Sequence, residues 1–287
     1  MSPLLSRLSI AATALLWSTG GAAIKSSSLG APAIAGGRAF FAAIALLLHD
    51  KSARQKPHRQ VFLTALAYAA TCILFVFANR LTTAATAIFI QNTAPVWVLL
   101  LSARVLGERA TRAELYSVPI SLAGCVLFFV DDLEGGHLAG NLCALAASLT
   151  YALLIVRYRQ ASRADGLSAT VWGNLIIVVS MVPLAVIAGT WPSTRDLLGI
   201  AYLGLIQQAL AATLFVRGIA GVSAVEGALL TLLEPMMAPI WAYLWIGERP
   251  GALSWVGAAL ILGATVGRTI ASTRQTAKTE AQTDGSF

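Results

Sequence analysis

The chain has 287 residues, 57% of them hydrophobic and only 11% charged, and its mean hydropathy is +0.75. Ordinary proteins carry about 25% charged residues, and a soluble domain of this length needs a polar exterior that this sequence cannot supply, so the bilayer is the expected solvent. The net charge of +7 does not point to nucleic acid, because the basic residues lie between apolar runs and in the tail, with no basic and aromatic patch outside them.

A helix rises 1.5 Å per residue, so about 20 apolar residues cross the roughly 30 Å hydrocarbon core. The sequence predicts an all-α membrane protein with spans near 8–24, 33–48, 61–79, 84–103, 114–130, 138–156, 168–188, 197–216, 222–245 and 252–270. Turn chemistry separates several of them: Leu29-Gly30-Ala31-Pro32, Glu134-Gly135-Gly136, Trp191-Pro192-Ser193 and Arg249-Pro250-Gly251. The first span, with Arg7 before it and Gly21-Ala22-Ala23 near its end, reads as an uncleaved signal anchor because further apolar runs follow. The tail over 272–287 is polar and expected to be disordered and cytoplasmic.

Lysine and arginine set the orientation. With the N-terminus inside, fifteen fall on the cytoplasmic side (Arg7, the group from Lys51 to Arg59, and so on to Lys278). Four fall outside (Lys25, Arg80, Arg195 and Arg249), and Arg38 lies within a span. This bias predicts a multi-pass protein of a bacterial-type inner (plasma) membrane with both termini cytoplasmic and an even number of spans.

An internal repeat runs at an offset of 140 residues. Pro95 matches Pro235, Gly107-Glu108-Arg109 matches Gly247-Glu248-Arg249, and Ala84 matches Ala224, without a gap. Five spans per repeat is an odd number, so the second half enters the membrane from the opposite side. The expected architecture is ten transmembrane helices in two inverted five-helix repeats, over 1–134 and 135–271, an arrangement common in secondary transporters.

The Pro…Gly-Glu-Arg pattern, the Leu15-Leu16-Trp17-Ser18-Thr19 segment and Leu233-Glu234-Pro235 together resemble the drug/metabolite transporter superfamily, in particular its EamA branch, over residues from about 8 to 270. Within that branch the chain is most similar to YddG-type exporters of aromatic amino acids and drugs. The resemblance implies a secondary exporter of small metabolites working by alternating access. Aromatic or hydrophobic amino acids are the leading substrate class, and a proton-coupled multidrug exporter is an alternative. A non-transporting scaffold or sensor is the reading from another class, and it would call for a soluble output domain that no loop is long enough to hold.

Candidate functional residues are polar, charged or aromatic groups within spans. Pro95 and Pro235 each remove a helical hydrogen bond near mid-span and are candidate hinges, as are Gly20 and Gly21. Glu234 is an acid near the bilayer midplane, costing about 2.5–3.5 kcal/mol on the insertion scale. It is a candidate for proton coupling or for binding a substrate amine. Glu226, on the same span, is a second coupling candidate, or the partner of Arg217 in a surface ion pair. Arg38 either snorkels to the interface or faces a cavity as a carboxylate ligand. Trp17, Tyr68, Asn79, Gln91, Asn92, Tyr151, Trp172, Asn174, Gln207 and Gln208 complete the expected cavity lining, with Trp17 and Tyr151 available to stack on a ring.

Other chemistry finds no support. Cys72, Cys125 and Cys143 sit in apolar runs without metal-ligand spacing. His49, His58 and His137 fall in or beside loops, and the chain has no Walker motif, GxGxxG unit, HExxH or GxSxG. No cofactor and no enzymatic activity are expected. No acid occurs between Leu8 and Ile24 or between Leu138 and Val156, unlike the small multidrug-resistance relatives, which rely on a first-helix glutamate. The expected partners are a small-molecule substrate and membrane lipids, with a monomer as the working state.

Overall fold

The computed structural model describes residues 1–82, 84–129, 137–189, 191–237, 241, 253, 255–257, 259–268 and 270–271. The tail over 272–287, the acidic run Asp131–Glu134 and the second Gly-Glu-Arg triplet lie outside the described residues. Among those described, all regular structure is helical, and six helices are long and apolar enough to cross a membrane.

Chain order gives α1 (Pro3–Trp17), α2 (Gly20–Lys25), α3 (Ala31–His49), α4 (Arg59–Leu81), α5 (Ala84–Gln91) and α6 (Ala94–Val105). There follow α7 (Arg112–Phe129), α8 (Leu138–Gln160), α9 (Arg163–Ile187) and α10 (Thr194–Tyr202). A π-helical segment (Leu203–Leu210) joins α10 to α11 (Ala211–Ile219), and α12 (Ala224–Thr231) comes next. Starts follow capping chemistry. Ser162, Ser193 and Ser223 accept from the backbone N–H three residues on, and Pro3 and Pro32 occupy first turns, where no donor is needed.

The two prolines matched by the repeat act alike. A proline ring clashes with the carbonyl four residues before it. For Pro95 that residue is Gln91, where α5 ends; for Pro235 it is Thr231, where α12 ends before helix resumes over 233–237. Nearby side chains satisfy the backbone around each break. Asn92 Nδ2 donates to the Ile88 carbonyl at 2.8 Å and Thr93 Oγ1 to Ile90 at 2.7 Å. Thr231 Oγ1 donates to Ala228 at 2.8 Å. The predicted first span is interrupted as well, at Ser18-Thr19. Their hydroxyls donate to the carbonyls of Leu15 (2.7 Å) and Leu16 (2.8 Å), and α2 then starts at Gly20.

The halves interleave. α3 packs on α9, α4 on α8 and α9, and α1 on α11, so the main helix contacts cross between residues 1–134 and 135–271. The first Gly-Glu-Arg triplet serves this junction. Gly107 takes φ +67° just past the end of α6, a backbone state that favours glycine. The turn carries Glu108 to the start of α12, where its carboxylate accepts from the Ala224 N–H at 3.1 Å and pairs with Arg159 of α8 at 3.2 Å.

Among the described glycines, the closest approach to another segment's backbone is at Gly204 in the π segment. A Cβ there would lie 2.5 Å from the Arg38 carbonyl oxygen and 2.6 Å from Phe41 Cβ. Gly204→Val must therefore push α3 away and is expected to cost about 1–3 kcal/mol. Thermal unfolding in detergent measures this. Gly199→Ala, where a Cβ meets nothing within 4 Å, serves as the control and is expected to leave the unfolding temperature in place.

Candidate functional site

The breaks and the π segment converge on one cavity enclosing about 660 Å³, its open mouth included. Part of its lining is aromatic. Trp17 lies edge-to-face on Tyr151, with ring centroids 5.9 Å apart, and 5.4 Å from Phe215, which in turn lies 6.1 Å from Tyr158. Phe75 of α4 extends the apolar lining. The lining also carries the polar residues Arg38, Tyr68, Gln207 and Gln208.

Three pairs of lining residues stand 140 positions apart: Tyr68 with Gln208, Cys72 with Ala212, and Phe75 with Phe215. This is the spacing that relates the two prolines. Repeat-related helices therefore supply facing parts of the lining, and Tyr68 and Gln208 touch: Gln208 Nε2 donates to the Tyr68 hydroxyl at 2.9 Å. The same nitrogen donates to Asn174 Oδ1 at 2.7 Å, and Asn174 Nδ2 donates to the Tyr68 hydroxyl at 3.3 Å and to the Thr170 carbonyl at 2.9 Å. π-Helical turns recur at functional sites, and here the turn presents Gln207 and Gln208 side by side.

Two buried polar atoms of these lining residues have no hydrogen-bond partner among the described residues. Arg38 is 3% exposed; its terminal Nη2 donates to the Cys72 carbonyl at 3.1 Å, while its Nε has no hydrogen-bond partner among the described residues. Gln208 Oε1 is likewise buried without a donor. Glu234, beside Pro235 at the second break, lines the cavity, and its carboxylate accepts no hydrogen bond among the described residues. Arg38 is thus held inside the bundle and does not snorkel.

Of the residues singled out from sequence, the cavity gathers Trp17, Arg38, Tyr68, Gln91, Tyr151, Gln207, Gln208 and Glu234. Asn174 stands behind it and orients Tyr68 and Gln208. Asn79 is buried elsewhere and bonds the Phe75 carbonyl of its own helix, while Trp172 donates to the Gln55 carbonyl at 3.0 Å. Gly20 abuts Gln207, and Pro95 and Pro235 sit at the breaks without lining the cavity. Glu226 is far from a simple surface pair with Arg217: its partners are Arg7 and Arg268, at 2.8 and 2.6 Å. Sequence reading missed Tyr158 and Phe215. Both were signalled by spacing, since Tyr158 is seven residues after Tyr151 and Phe215 seven after Gln208, a separation that returns to the same helix face. Tyr68→Phe removes the acceptor shared by Gln208 and Asn174, so it is expected to lower stability by about 1–2 kcal/mol, readable as a fall in unfolding temperature in detergent.

The chain is 32% identical over 209 residues to the uncharacterized transporter YwfM of Bacillus subtilis (strain 168), covering 70% of each chain. It is 26% identical over 184 residues to a probable terminal-alkyne amino-acid exporter of Streptantibioticus cattleyicolor, covering 62% of this chain and 61% of that one. It is also 26% identical over 212 residues to a probable amino-acid metabolite efflux pump of Escherichia coli (strain K12), covering 69% and 71%. A solved crystal structure shares the fold with a TM-score of 0.78 at 21% identity, covering 94% of this chain and 98% of that one. The model of the EamA-like transporter family matches twice, over residues 5–130 and 138–269, and the chain belongs to that family of membrane transporters.

Proposed function

We propose that this transporter exports small amino-acid-type metabolites, with aromatic and hydrophobic amino acids as its principal class, by alternating access of the central cavity. The observation that carries the reading is the mixed lining of the cavity. Arg38 Nε and Gln208 Oε1 are a buried cationic donor and a buried acceptor without hydrogen-bond partners among the described residues, and Trp17, Tyr151 and Phe215 line the same cavity. A free amino acid has a carboxylate for the first, an ammonium for the second and a side chain for the third. A buried donor or acceptor left unpaired costs about 1–3 kcal/mol, which a zwitterion recovers on binding and an apolar solute does not. Two relatives named for amino-acid export support the same class.

Ten spans in two inverted five-helix repeats, in a bacterial-type inner membrane with both termini cytoplasmic, remain the architecture we assign. The basic-residue bias and the repeat at 140 support it. In this reading Pro95 and Pro235 serve as paired hinges, and the α1–α2 break before Gly20 and Gly21 adds a third flexible point. A second reading, proton-coupled export, is favoured by one observation, the cavity-lining Glu234 carboxylate without a hydrogen-bond donor. Glu234 then alternates between carrying a proton and facing the substrate ammonium.

Flux in proteoliposomes, with aromatic, aliphatic and charged amino acids at two internal pH values, tests both readings. Uptake of aromatic amino acids is expected to exceed that of charged ones, and Glu234→Gln is expected to abolish any dependence on a pH gradient. Arg38→Gln is expected to slow transport of a free amino acid by about tenfold, equivalent to about 1.4 kcal/mol, while sparing the carboxyl-amidated analogue. Trp17→Ala is expected to reduce the preference for tryptophan over leucine by about two- to tenfold, matching about 0.5–1.5 kcal/mol for an aromatic pair. Protein that moves no amino acid under either condition ends the exporter reading.

A further inference from the structure

A second cluster of buried polar groups lies away from the cavity, at the end of the bundle where the chain begins. Arg7 at the start of α1 places its Nε 2.8 Å from Glu226 Oε1. Arg268, in the last apolar helix, places Nη1 2.6 Å from Glu226 Oε2 and Nη2 2.5 Å from Glu114 Oε1. Their side-chain exposures are 14% for Arg7, 4% for Glu226, 6% for Arg268 and 3% for Glu114. Ser223, which caps α12, donates to Glu114 Oε1 at 2.8 Å and accepts from Arg268 at 2.9 Å. Thr111 N–H completes the shell of Glu114 at 2.9 Å.

The connectivity is informative. Arg7 and Glu114 belong to the first half of the chain, and Glu226 and Arg268 to the second. Two of the three ion pairs therefore cross between halves, and the third links two helices of the second half. Two arginines and two glutamates make the cluster neutral. Glu226 is on α12, eight residues before the cavity residue Glu234, which corresponds to roughly 12 Å along a helix. Along the chain the cluster thus stands about two helical turns before the cavity residue Glu234. The opposite end lacks the counterpart of Glu226: its mate at the 140 offset is Thr86.

We propose that Arg7, Glu114, Glu226 and Arg268 form an ionic gate that closes the cavity toward the N-terminal face and must separate for substrate to enter from that side. This rests on the alternating-access reading above and adds the device that holds one state. The physical case is a near balance. Removing ions from water costs roughly as much as their mutual attraction returns, so a buried pair stabilises little over its hydrated, separated form. A static brace is better built from apolar side chains. An element that must be shut and dry in one state and open and wet in the other suits groups that are ion-paired in the first and hydrated in the second, and a neutral quartet leaves no net charge stranded in either. Removal of one member, by contrast, leaves an uncompensated charge in the closed state and shifts the population toward the hydrated, open one.

Cys72 lines the cavity and provides a reporter that needs no substrate. In a Cys125→Ser, Cys143→Ser background, a membrane-impermeant thiosulfonate is applied to right-side-out and inside-out vesicles. The parental protein is expected to be protected from the N-terminal face. Glu226→Gln and Arg268→Gln are expected to raise labelling from that face by about tenfold, as a shift from 1% to about 10% open would do. Inversion of all four charges (Arg7→Glu, Glu226→Arg, Arg268→Glu and Glu114→Arg), which restores each of the three opposite-charge pairs, is expected to return labelling toward the parental rate. Glu226→Asp shortens the acid without changing charge and is expected to give a smaller rise. Variants that fold, judged by elution and unfolding temperature, yet label as the parent from both faces show a static brace and overturn the proposal. If neither charge-removing variant folds, Glu226→Asp decides it, and parental labelling there overturns the proposal too. Because flux is not the readout, failure here is distinct from failure of the exporter reading.

Discussion

A backbone carbonyl released inside a bilayer finds no water, and each one left bare costs several kcal/mol. This constraint organises the molecule. The helices break at Gln91 before Pro95 and at Thr231 before Pro235, and the Asn92, Thr93 and Thr231 side chains add hydrogen bonds to carbonyls of the turn leading into each break. Such irregular backbone is tolerated only where protein covers it or a wet cavity faces it. The cavity accordingly meets both breaks, through Gln91 at the first and Glu234 at the second. The third interruption, at Ser18-Thr19, borders it through Trp17 and is tied to the second half by the Trp241 indole N–H donating to Ser18 at 2.8 Å and by the Thr19–Tyr202 hydroxyl pair at 2.9 Å. The site thus sits where the helices fail, and the helices fail where polar side chains can stand in for the backbone.

Geometry is shared between the halves while chemistry is not. Tyr68/Gln208, Cys72/Ala212 and Phe75/Phe215 occupy matched positions around the cavity. Matched positions let two halves exchange roles with little change in packing. The charges break the match: Glu234 answers to Ala94, and Glu226 to Thr86. A perfectly matched pair of halves has no reason to favour one state. On the proposed alternating-access reading the unmatched acids supply the bias, one lining the cavity and one in the ion-pair cluster.

Much of this was legible in the sequence because the bilayer writes it in composition. Apolar runs of about 20 residues became helices close to the expected bounds, as with 61–79 read and Arg59–Leu81 observed. The repeat located both proline breaks. Proline itself was an incomplete guide: Pro119 and Pro183 lie inside the continuous helices α7 and α9, and the first helix breaks with no proline at all. Whether a helix parts depends on which groups can take up its carbonyls, and the Ser18 and Thr19 hydroxyls look ordinary in a sequence. Partnership was least legible. Arg217 is near Glu226 in the chain, but Arg7 and Arg268 reach it, 219 and 42 residues away, because helix packing decides which ends meet. Asn79 resembled a lining residue, yet it turns its amide to its own helix, a choice that polarity alone does not encode.

Arg38 shows how the cavity reconciles binding with release. A guanidinium has five N–H donors, and leaving them unmet in a dry site is expensive. A nearby carboxylate would settle Arg38 permanently, and a substrate carboxylate would then have to displace it. Among the described residues Arg38 instead makes one hydrogen bond, to the neutral Cys72 carbonyl, and its buried Nε is unpartnered. On the proposed amino-acid reading a substrate carboxylate therefore need not displace a protein acid. A transporter needs moderate affinity. A substrate held equally in both states shifts neither, and one held too tightly is never released. On the proposed reading the arginine selects a carboxylate, and the absence of a tight internal partner among the described residues lets the halves, rather than the ligand, set the direction of opening.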